Sequence, residues 1–233
     1  MSAREIPRPG PSLALAPALA LALVVASAGC LDLAVARVPD RLLEGAGGNG
    51  WEKNFTASQR APTSSQGGLV KAQTLVYEDR QNPAYAGSLT VTSLRTLLTP
   101  DAAKLRDTVQ SRIVDEATNK GIRLQGGAVT GTRRVASGGD SSWFVYNGTV
   151  ASQGFFAQSA QVKVLGEIFR CEAQKTEVVV TGLASTTDVR TIGGIAIPSD
   201  PDYTTWGEIV GDPRGSIEGY RGSDGLAYNV ACQ

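Results

Sequence analysis

The stretch Thr99–Gly121, TPDAAKLRDTVQSRIVDEATNKG, carries the clearest secondary-structure signal in the 233-residue chain. Apolar residues recur there at every fourth position among charged ones, which predicts an amphipathic helix with one apolar stripe: Leu105, Val109, Ile113 and Ala117, with Ala102 and Val114 alongside. Thr99 can cap the start, Pro100 suits the first helical position, and Asp101 complements the positive end of the helix. Gly121 then provides a left-handed C-terminal cap. The stripe predicts that this one face packs on a core.

The segments on either side of the helix have the composition of β-strands. Before it, Leu69–Glu78 and Ser88–Leu97 are rich in Val, Leu and Thr, and Gln81-Asn82-Pro83 between them is a turn signal. After it, four more strands are predicted, and Gly166 within the third of them indicates a bulge or a bend: Ala128–Val135, Trp143–Val150, Phe155–Cys171 and Thr176–Leu183. Short turns between successive strands favour antiparallel pairing.

Together these elements predict an α+β fold, in which a mainly antiparallel sheet carries the main amphipathic helix on one face. A short C-terminal helix is expected over Tyr203–Val210, which lies between turn signals. The layout resembles the Mog1/PsbP-like α+β sandwiches. That resemblance implies an architecture alone, since likeness of fold does not fix function.

The N-terminal end of the chain has the pattern of a secretory signal. Arg4 and Arg8 precede an apolar run, Leu13–Ala28, that is almost wholly Leu, Ala and Val. The string Ala26-Ser27-Ala28-Gly29-Cys30 that ends this region resembles the lipobox of prokaryotic lipoprotein precursors. The resemblance implies cleavage before Cys30 and a diacylglycerol group, with palmitate-type chains, on its sulfur. The protein would then be anchored in the cell membrane or outer membrane, with its domain on the extracytoplasmic side.

Two other interpretations of this region stay open. The uncharged stretch Pro9–Leu31 is long enough for an uncleaved membrane-spanning anchor, which needs about 20 apolar residues, and a plain cleaved signal would release a soluble protein. The lipoprotein interpretation divides the chain into a signal peptide (1–29), a lipid-anchored flexible tether (30–67) and one α+β domain (68–233). Trp51 and Phe55 interrupt the tether, and they either dock on the domain or form a short element that docks.

The cysteines and two sequons point to modifications outside the cytoplasm. With Cys30 set aside, Cys171 and Cys232 remain as an even pair, which in an oxidising exterior predicts a disulfide. Two buried thiols are the alternative. Asn54 and Asn147 match the glycosylation acceptor pattern, which would place a surface modification there in an archaeal or eukaryotic cell.

The charged residues exclude several functions. The chain has 22 basic and 22 acidic side chains and no evident basic patch, which argues against a nucleic-acid partner. It has no histidine, which removes the Ser-His-Asp and Cys-His mechanisms and ordinary catalytic zinc sites. No catalytic residue, metal site or cofactor is therefore predicted, although carboxylate chemistry stays open.

Three stretches contain side chains that could carry chemistry. Clustered carboxylates could hydrolyse a glycoside or bind calcium, and capping explains them as well: Asp200, Asp202, Glu208 and Asp212. The Gly-rich stretch 211–225 could be a ligand loop or a series of tight turns, and it carries four charged residues: Arg214, Glu218, Arg221 and Asp224. One strand is aromatic, and alternation places Trp143 with Val145 on one face and Phe144 with Tyr146 on the other. One of these pairs is expected in the core, and the other could line a ligand groove or pack under the helix.

The sequence therefore favours an exported, membrane-anchored lipoprotein whose non-enzymatic domain binds a small ligand or an envelope protein. The alternative is a carboxylate-dependent envelope hydrolase that acts on polysaccharide. A third hypothesis is an accessory subunit of a membrane complex, which an exposed apolar patch would favour.

Overall fold

Seven strands form one antiparallel sheet in the computed structural model, with the order β1-β2-β3-β7-β6-β5-β4. The strands are β1 Trp51–Lys53, β2 Val70–Asp79, β3 Ser88–Thr96, β4 Ile122–Arg134, β5 Asp140–Ala151, β6 Ser159–Cys171 and β7 Thr176–Ser185. One helix, α1 Ala102–Asn119, connects β3 to β4, and a separate pair is formed by β8 Thr191–Ile192 and β9 Ile195–Ala196. The α+β class with a mainly antiparallel sheet is confirmed.

The structure describes residues 35–43, 51–58, 70–79, 87–96, 101–135, 139–151, 159–185, 191–192, 195–196, 209–210 and 225–233. The predicted helix Tyr203–Val210 lies outside these ranges except for its last two residues, Ile209 and Val210, which are helical and buried. Within the described ranges, no helix has both the length and the apolar character needed to cross a bilayer.

The helix has the predicted stripe but starts at a different cap. Asp101 is the N-cap, because its side chain accepts hydrogen bonds from the backbone N–H groups of Ala103 (2.9 Å) and Lys104 (3.2 Å). The prediction of Thr99 as the cap was therefore wrong, since a carboxylate two residues later satisfies the free N–H groups and carries charge as well. Gly121 follows the helix with φ +73°, as expected for a left-handed cap.

The stripe of α1 packs on one face of the sheet. Val109, Ile113 and Ala117 are buried, and they share their clusters with apolar side chains that the strands direct to this face: Ala72, Leu94, Phe144, Val162, Val164, Ile168 and Val179. Successive strand residues point to opposite faces, so the alternate residues of the same strands form a second cluster behind the sheet.

Gly166 does not mark a bulge. The register between β5 and β6 is continuous through it, and a Cβ placed there would collide with the ring of Phe144 on the neighbouring strand. The glycine is needed because the ring lies across its position. The irregularity of the sheet is in β4 instead, where the register shifts between Gln125 and Val129, and Gly126 has φ +69°.

Candidate functional site

The strands end at two opposite edges of the sheet, which we name by a residue at each. The Cys171 end contains the last residues of β3, β4 and β6 and the first residues of β5 and β7: Thr96, Arg134, Cys171, Asp140 and Thr176. The Gly121 end contains the opposite ends of these strands and the turn between α1 and β4: Ser88, Ile122, Ala151, Ser159 and Ser185.

A segment near the N-terminus lies on the sheet face opposite α1. Ala36 and Val38 are 1% and 0% exposed and belong to the cluster on that face. The backbone N–H of Ala36 donates to Ser93 Oγ (2.9 Å), and that of Val38 donates to the hydroxyl of Tyr77 (3.2 Å). Burial raises the pKa of Tyr77 to about 12, so the hydroxyl stays protonated in this position.

These contacts correct part of the predicted tether. Residues 35–43 and 51–58 lie within the range 30–67, yet both stretches contact the domain. Trp51 is 1% exposed and begins β1, which pairs with β2, while Phe55 is 74% exposed and lies next to the Lys53 ammonium. The second of the two options for this stretch, a short element that docks, applies to Trp51 in β1, whereas Phe55 does not dock. The packed domain therefore begins by Val35.

The C-terminal segment joins the N-terminal one on the same face. Arg37 and Ala231 form an antiparallel bridge, in which each backbone N–H donates to the other's carbonyl at 3.1 Å. One residue further, Cys232 is linked to Cys171 by a disulfide with a Cα–Cα distance of 5.9 Å. The predicted pairing of Cys171 with Cys232 is thereby found, and it fixes the C-terminus to the end of β6.

A buried ion pair lies beneath the C-terminal segment. Arg133 Nε is 2.8 Å from Glu167 Oε1, and Arg133 Nη2 donates to Glu167 Oε2 at 3.0 Å, with the two side chains 9% and 0% exposed. The guanidinium carbon is 4.8 Å from the centre of the Tyr228 ring, and Nη2 also reaches the carbonyl of Ala227 (3.4 Å). The pair therefore orients the segment that leads to the disulfide.

The ion pair was missed at the sequence level, although a signal was present. Glu167 is the only charged residue in the apolar run Val164–Phe169, where a strand buried on both faces leaves it no exposed side. Its partner Arg133 is on β4, two strands away, and only the sheet order brings the two together. Because each group neutralises the other, this arrangement holds structure and supplies no free acid or base.

The aromatic residues of β5 serve both clusters. Phe144 is fully buried under α1, and the half-buried Tyr146 meets it edge-on with 6.1 Å between ring centres. Trp143 and Val145 belong to the opposite cluster, where the Trp143 ring lies over Gly131. Both pairs therefore pack in the domain, and of the two alternatives for the second pair, packing under the helix is the one found, for Phe144 and Tyr146.

The two glycosylation candidates differ in their surroundings. Asn54 uses its Nδ2 group to donate to Glu78 Oε2 (2.8 Å), and its Oδ1 accepts from the backbone of Ala57 (2.9 Å). Asn147 is exposed in the middle of β5. Nδ2 is the atom that a glycan would use, and at Asn54 this atom already donates to Glu78, whereas Asn147 is exposed on its strand.

The remaining candidates lie outside the described residues. They comprise Cys30, the carboxylates Asp200, Asp202, Glu208 and Asp212, and the Gly-rich stretch 211–225 except Gly225. In the part of the chain that the structure describes, no three Cys, Asp or Glu side chains come together as a metal site. The chain matches no family model, no curated protein and no solved structure.

Proposed function

We propose that the protein is an exported lipoprotein, anchored by lipid on Cys30, whose domain acts as a binding or accessory module outside the cytoplasm. The observation that carries the proposal is the joining of the termini: the segment that follows Cys30 is bridged to the C-terminal segment beside the Cys171–Cys232 disulfide. The signal-like N-terminal region and the disulfide both favour a location outside the cytoplasm.

The disulfide supports export. Structural disulfides persist in oxidising compartments and are rare where thioredoxin and glutathione keep thiols reduced. Cys171 is 2% exposed and Cys232 is half-buried, so the bond is a part of the packed face. The lipobox-like string before Cys30 and the Cys171–Cys232 pair found in the domain both favour the same side of the membrane.

The absence of histidine from the whole sequence and the structural use of the Arg133–Glu167 pair support a non-enzymatic role. A surface for a partner is offered by β4, which is an edge strand with β5 as its one neighbour among the strands that the structure describes. Val129 in this strand is 54% exposed, beside the irregularity at Gly126. Unpaired edge groups with an exposed apolar side chain are a common place for another chain to bind.

The anchor can be tested by metabolic labelling with an alkyne fatty acid, followed by intact-mass measurement of the membrane fraction. Wild-type protein should carry the label and begin at Cys30, and Cys30→Ser should carry none. The double variant Cys171→Ser/Cys232→Ser is the matched control, because it removes the other two thiols and should keep the label. A labelled Cys30→Ser variant, or unlabelled wild-type protein that begins at Met1, would contradict lipidation at this residue.

A further inference from the structure

We propose that the Cys171 end of the domain lies directly against the lipid surface, and that the Gly121 end points away from it. This inference rests on the proposed lipid anchor at Cys30. The proposed occupant of the surface at the Cys171 end is the head-group layer of the bilayer that holds the anchor.

The bridge between Arg37 and Ala231 determines where the chain enters the domain. In an antiparallel bridge the residues before one partner run beside the residues after the other, so Ala36 and Val35 run beside Cys232 and Gln233. Cys232 is fixed to Cys171 by the disulfide. Val35 is therefore at the Cys171 end, and the hydrogen bond from Ala36 to Ser93, near the end of β3, agrees with that placement.

The chain between the anchor and the domain is short. Only residues 31–34 separate Cys30 from Val35. At no more than about 3.6 Å per residue, the five steps from Cys30 to Val35 reach at most about 18 Å, whatever their conformation. A lipid on Cys30 therefore holds the Cys171 end within that distance of the head groups.

A second Gly-rich tract, residues 44–50 within the predicted tether, cannot hold the domain away from the membrane. Residues 44–50 follow the docked segment 35–43 and precede β1, so both ends of the tract are attached to the domain. Its length consequently adds nothing to the distance between Cys30 and the sheet. Of the flexible tether predicted over residues 30–67, only the residues before Val35 can therefore set this distance.

The opposite end of the domain is beyond the reach of the anchor, so the anchor does not hold it at the membrane. Ile122 is level with Val150 and Ala160 across the sheet, and β6 continues from Ala160 to Cys171. At about 3.3 Å per residue, these eleven steps separate the two ends by about 36 Å, which is about twice the reach of the anchor.

The mixed charge of the Cys171 end is consistent with a surface that the anchor, and not electrostatic attraction, brings to the bilayer. Exposed side chains there carry both signs, with Arg134 and Lys175 against Asp140 and Glu172. Such a mixture gives little attraction to anionic lipids, so the two acyl chains supply the affinity and the geometry supplies the orientation.

The orientation can be tested with one engineered thiol at either end. Ala173→Cys lies in the exposed 3-10 turn after Cys171, and Asn119→Cys is the matched control at the exposed last residue of α1, just before the turn at Gly121. With Cys30 acylated and the other two cysteines oxidised, the new thiol is the only free one to carry a fluorophore. The full-length processed protein is reconstituted in phosphatidylcholine vesicles that contain lipids with a nitroxide on the head group.

We expect the fluorophore at position 173 to be quenched and the one at 119 to keep its intensity. Quenching at 119 alone, at both positions or at neither would overturn the proposed orientation. Intact mass of the same samples separates the two proposals. Absence of lipid on Cys30 refutes the anchor, whereas lipid on Cys30 with the wrong quenching pattern refutes the orientation alone.

An insertion tests whether the short connection is the cause. A Gly/Ser stretch of about 20 residues placed between Cys30 and Val35 would add a root-mean-square length of about 25 Å. Quenching at position 173 should then fall toward the level at 119. Full quenching after the insertion would contradict the argument from reach.

Discussion

Removal of the Cys171–Cys232 disulfide should lower the free energy of unfolding by about 4 kcal/mol. The two residues are 61 apart in sequence, and the chain-entropy relation for a loop of about that length gives a loss of about 14 cal/mol/K from the unfolded state. For a domain of this size, about 4 kcal/mol corresponds to a fall of roughly 8–16 °C in Tm. The double variant Cys171→Ala/Cys232→Ala is preferable to a single one, because it leaves no unpaired thiol.

The assay is urea unfolding followed by tryptophan fluorescence, which reports on the buried Trp51. Wild-type protein and the double variant are each measured with and without a reductant. In the reductant, the free energy of unfolding of wild-type protein should fall to that of the variant. The variant should give the same unfolding curve in both conditions. Any difference that remains between reduced wild-type protein and the variant measures the packing of the two sulfurs, not the cross-link.

Two outcomes would refute the reasoning. If oxidised wild-type protein and the variant unfold at the same urea concentration, the cross-link does not constrain the unfolded chain. If the variant is destabilised by the same amount relative to reduced wild-type protein as to oxidised wild-type protein, the loss comes from packing at the buried Cys171 position.

Four further substitutions test the polar groups of the fold, each by urea unfolding. Glu167→Gln should cost about 3 kcal/mol or more, because it leaves the buried guanidinium without its charged partner; a loss below about 1 kcal/mol would contradict the pairing. Thr181→Val should raise stability by up to about 1 kcal/mol, since its buried Oγ1 has no hydrogen-bond partner. The matched Thr92→Val should lower it by about 1 kcal/mol, because Thr92 Oγ1 lies 3.1 Å from Thr74 Oγ1; equal effects of the two would refute the distinction. Burial raises the pKa of Glu177, so its protonated form stabilises the fold at low pH and this contribution is lost as pH rises through the folded pKa; wild-type stability should therefore fall relative to Glu177→Gln across that range, and parallel pH profiles would contradict the shift.

The helix and the disulfide could be predicted because each depends on a short list of residues. The stripe of α1 is a local pattern with a period of its own, and its buried members Val109, Ile113 and Ala117 were all expected. The Cys171–Cys232 pair followed from counting once Cys30 had been set aside.

The docked N-terminal segment could not be predicted from its residues. Ala36 and Val38 are small, and Pro39 ends the alternation Ala36-Arg37-Val38 after three residues, which is too short to predict a strand. Its burial depends on Ser93 and Tyr77, which lie 57 and 39 residues away in sequence and offer a hydroxyl to each free N–H group. Composition therefore indicated a tether where long-range hydrogen bonds hold a packed segment.

Gly166 shows the same limit within a strand. A lone glycine in a strand is consistent with a bulge, a bend or a close neighbour, and the sequence cannot distinguish them. In the structure a close neighbour is the reason for the glycine. Phe144 is paired with Gly166 in the adjacent strand, and its ring occupies the place of the missing side chain. Such choices become visible only when the register is known.

The disulfide, the buried ion pair and the Arg37–Ala231 bridge lie close together, at the segment to which the proposed anchor would be attached. A partner that binds the domain and moves relative to the membrane would load the chain through Val35, and the first contacts to carry that load are the two hydrogen bonds of the Arg37–Ala231 bridge. Hydrogen bonds of this kind contribute only about 1 kcal/mol each, so they would yield early if Ala231 were itself free to move. The disulfide at Cys232 and the Arg133–Glu167 pair beneath the same segment prevent this, because they connect it to β6 at the centre of the sheet. If the anchor proposed at Cys30 is present, the disulfide one residue from the bridge therefore transmits this load to β6.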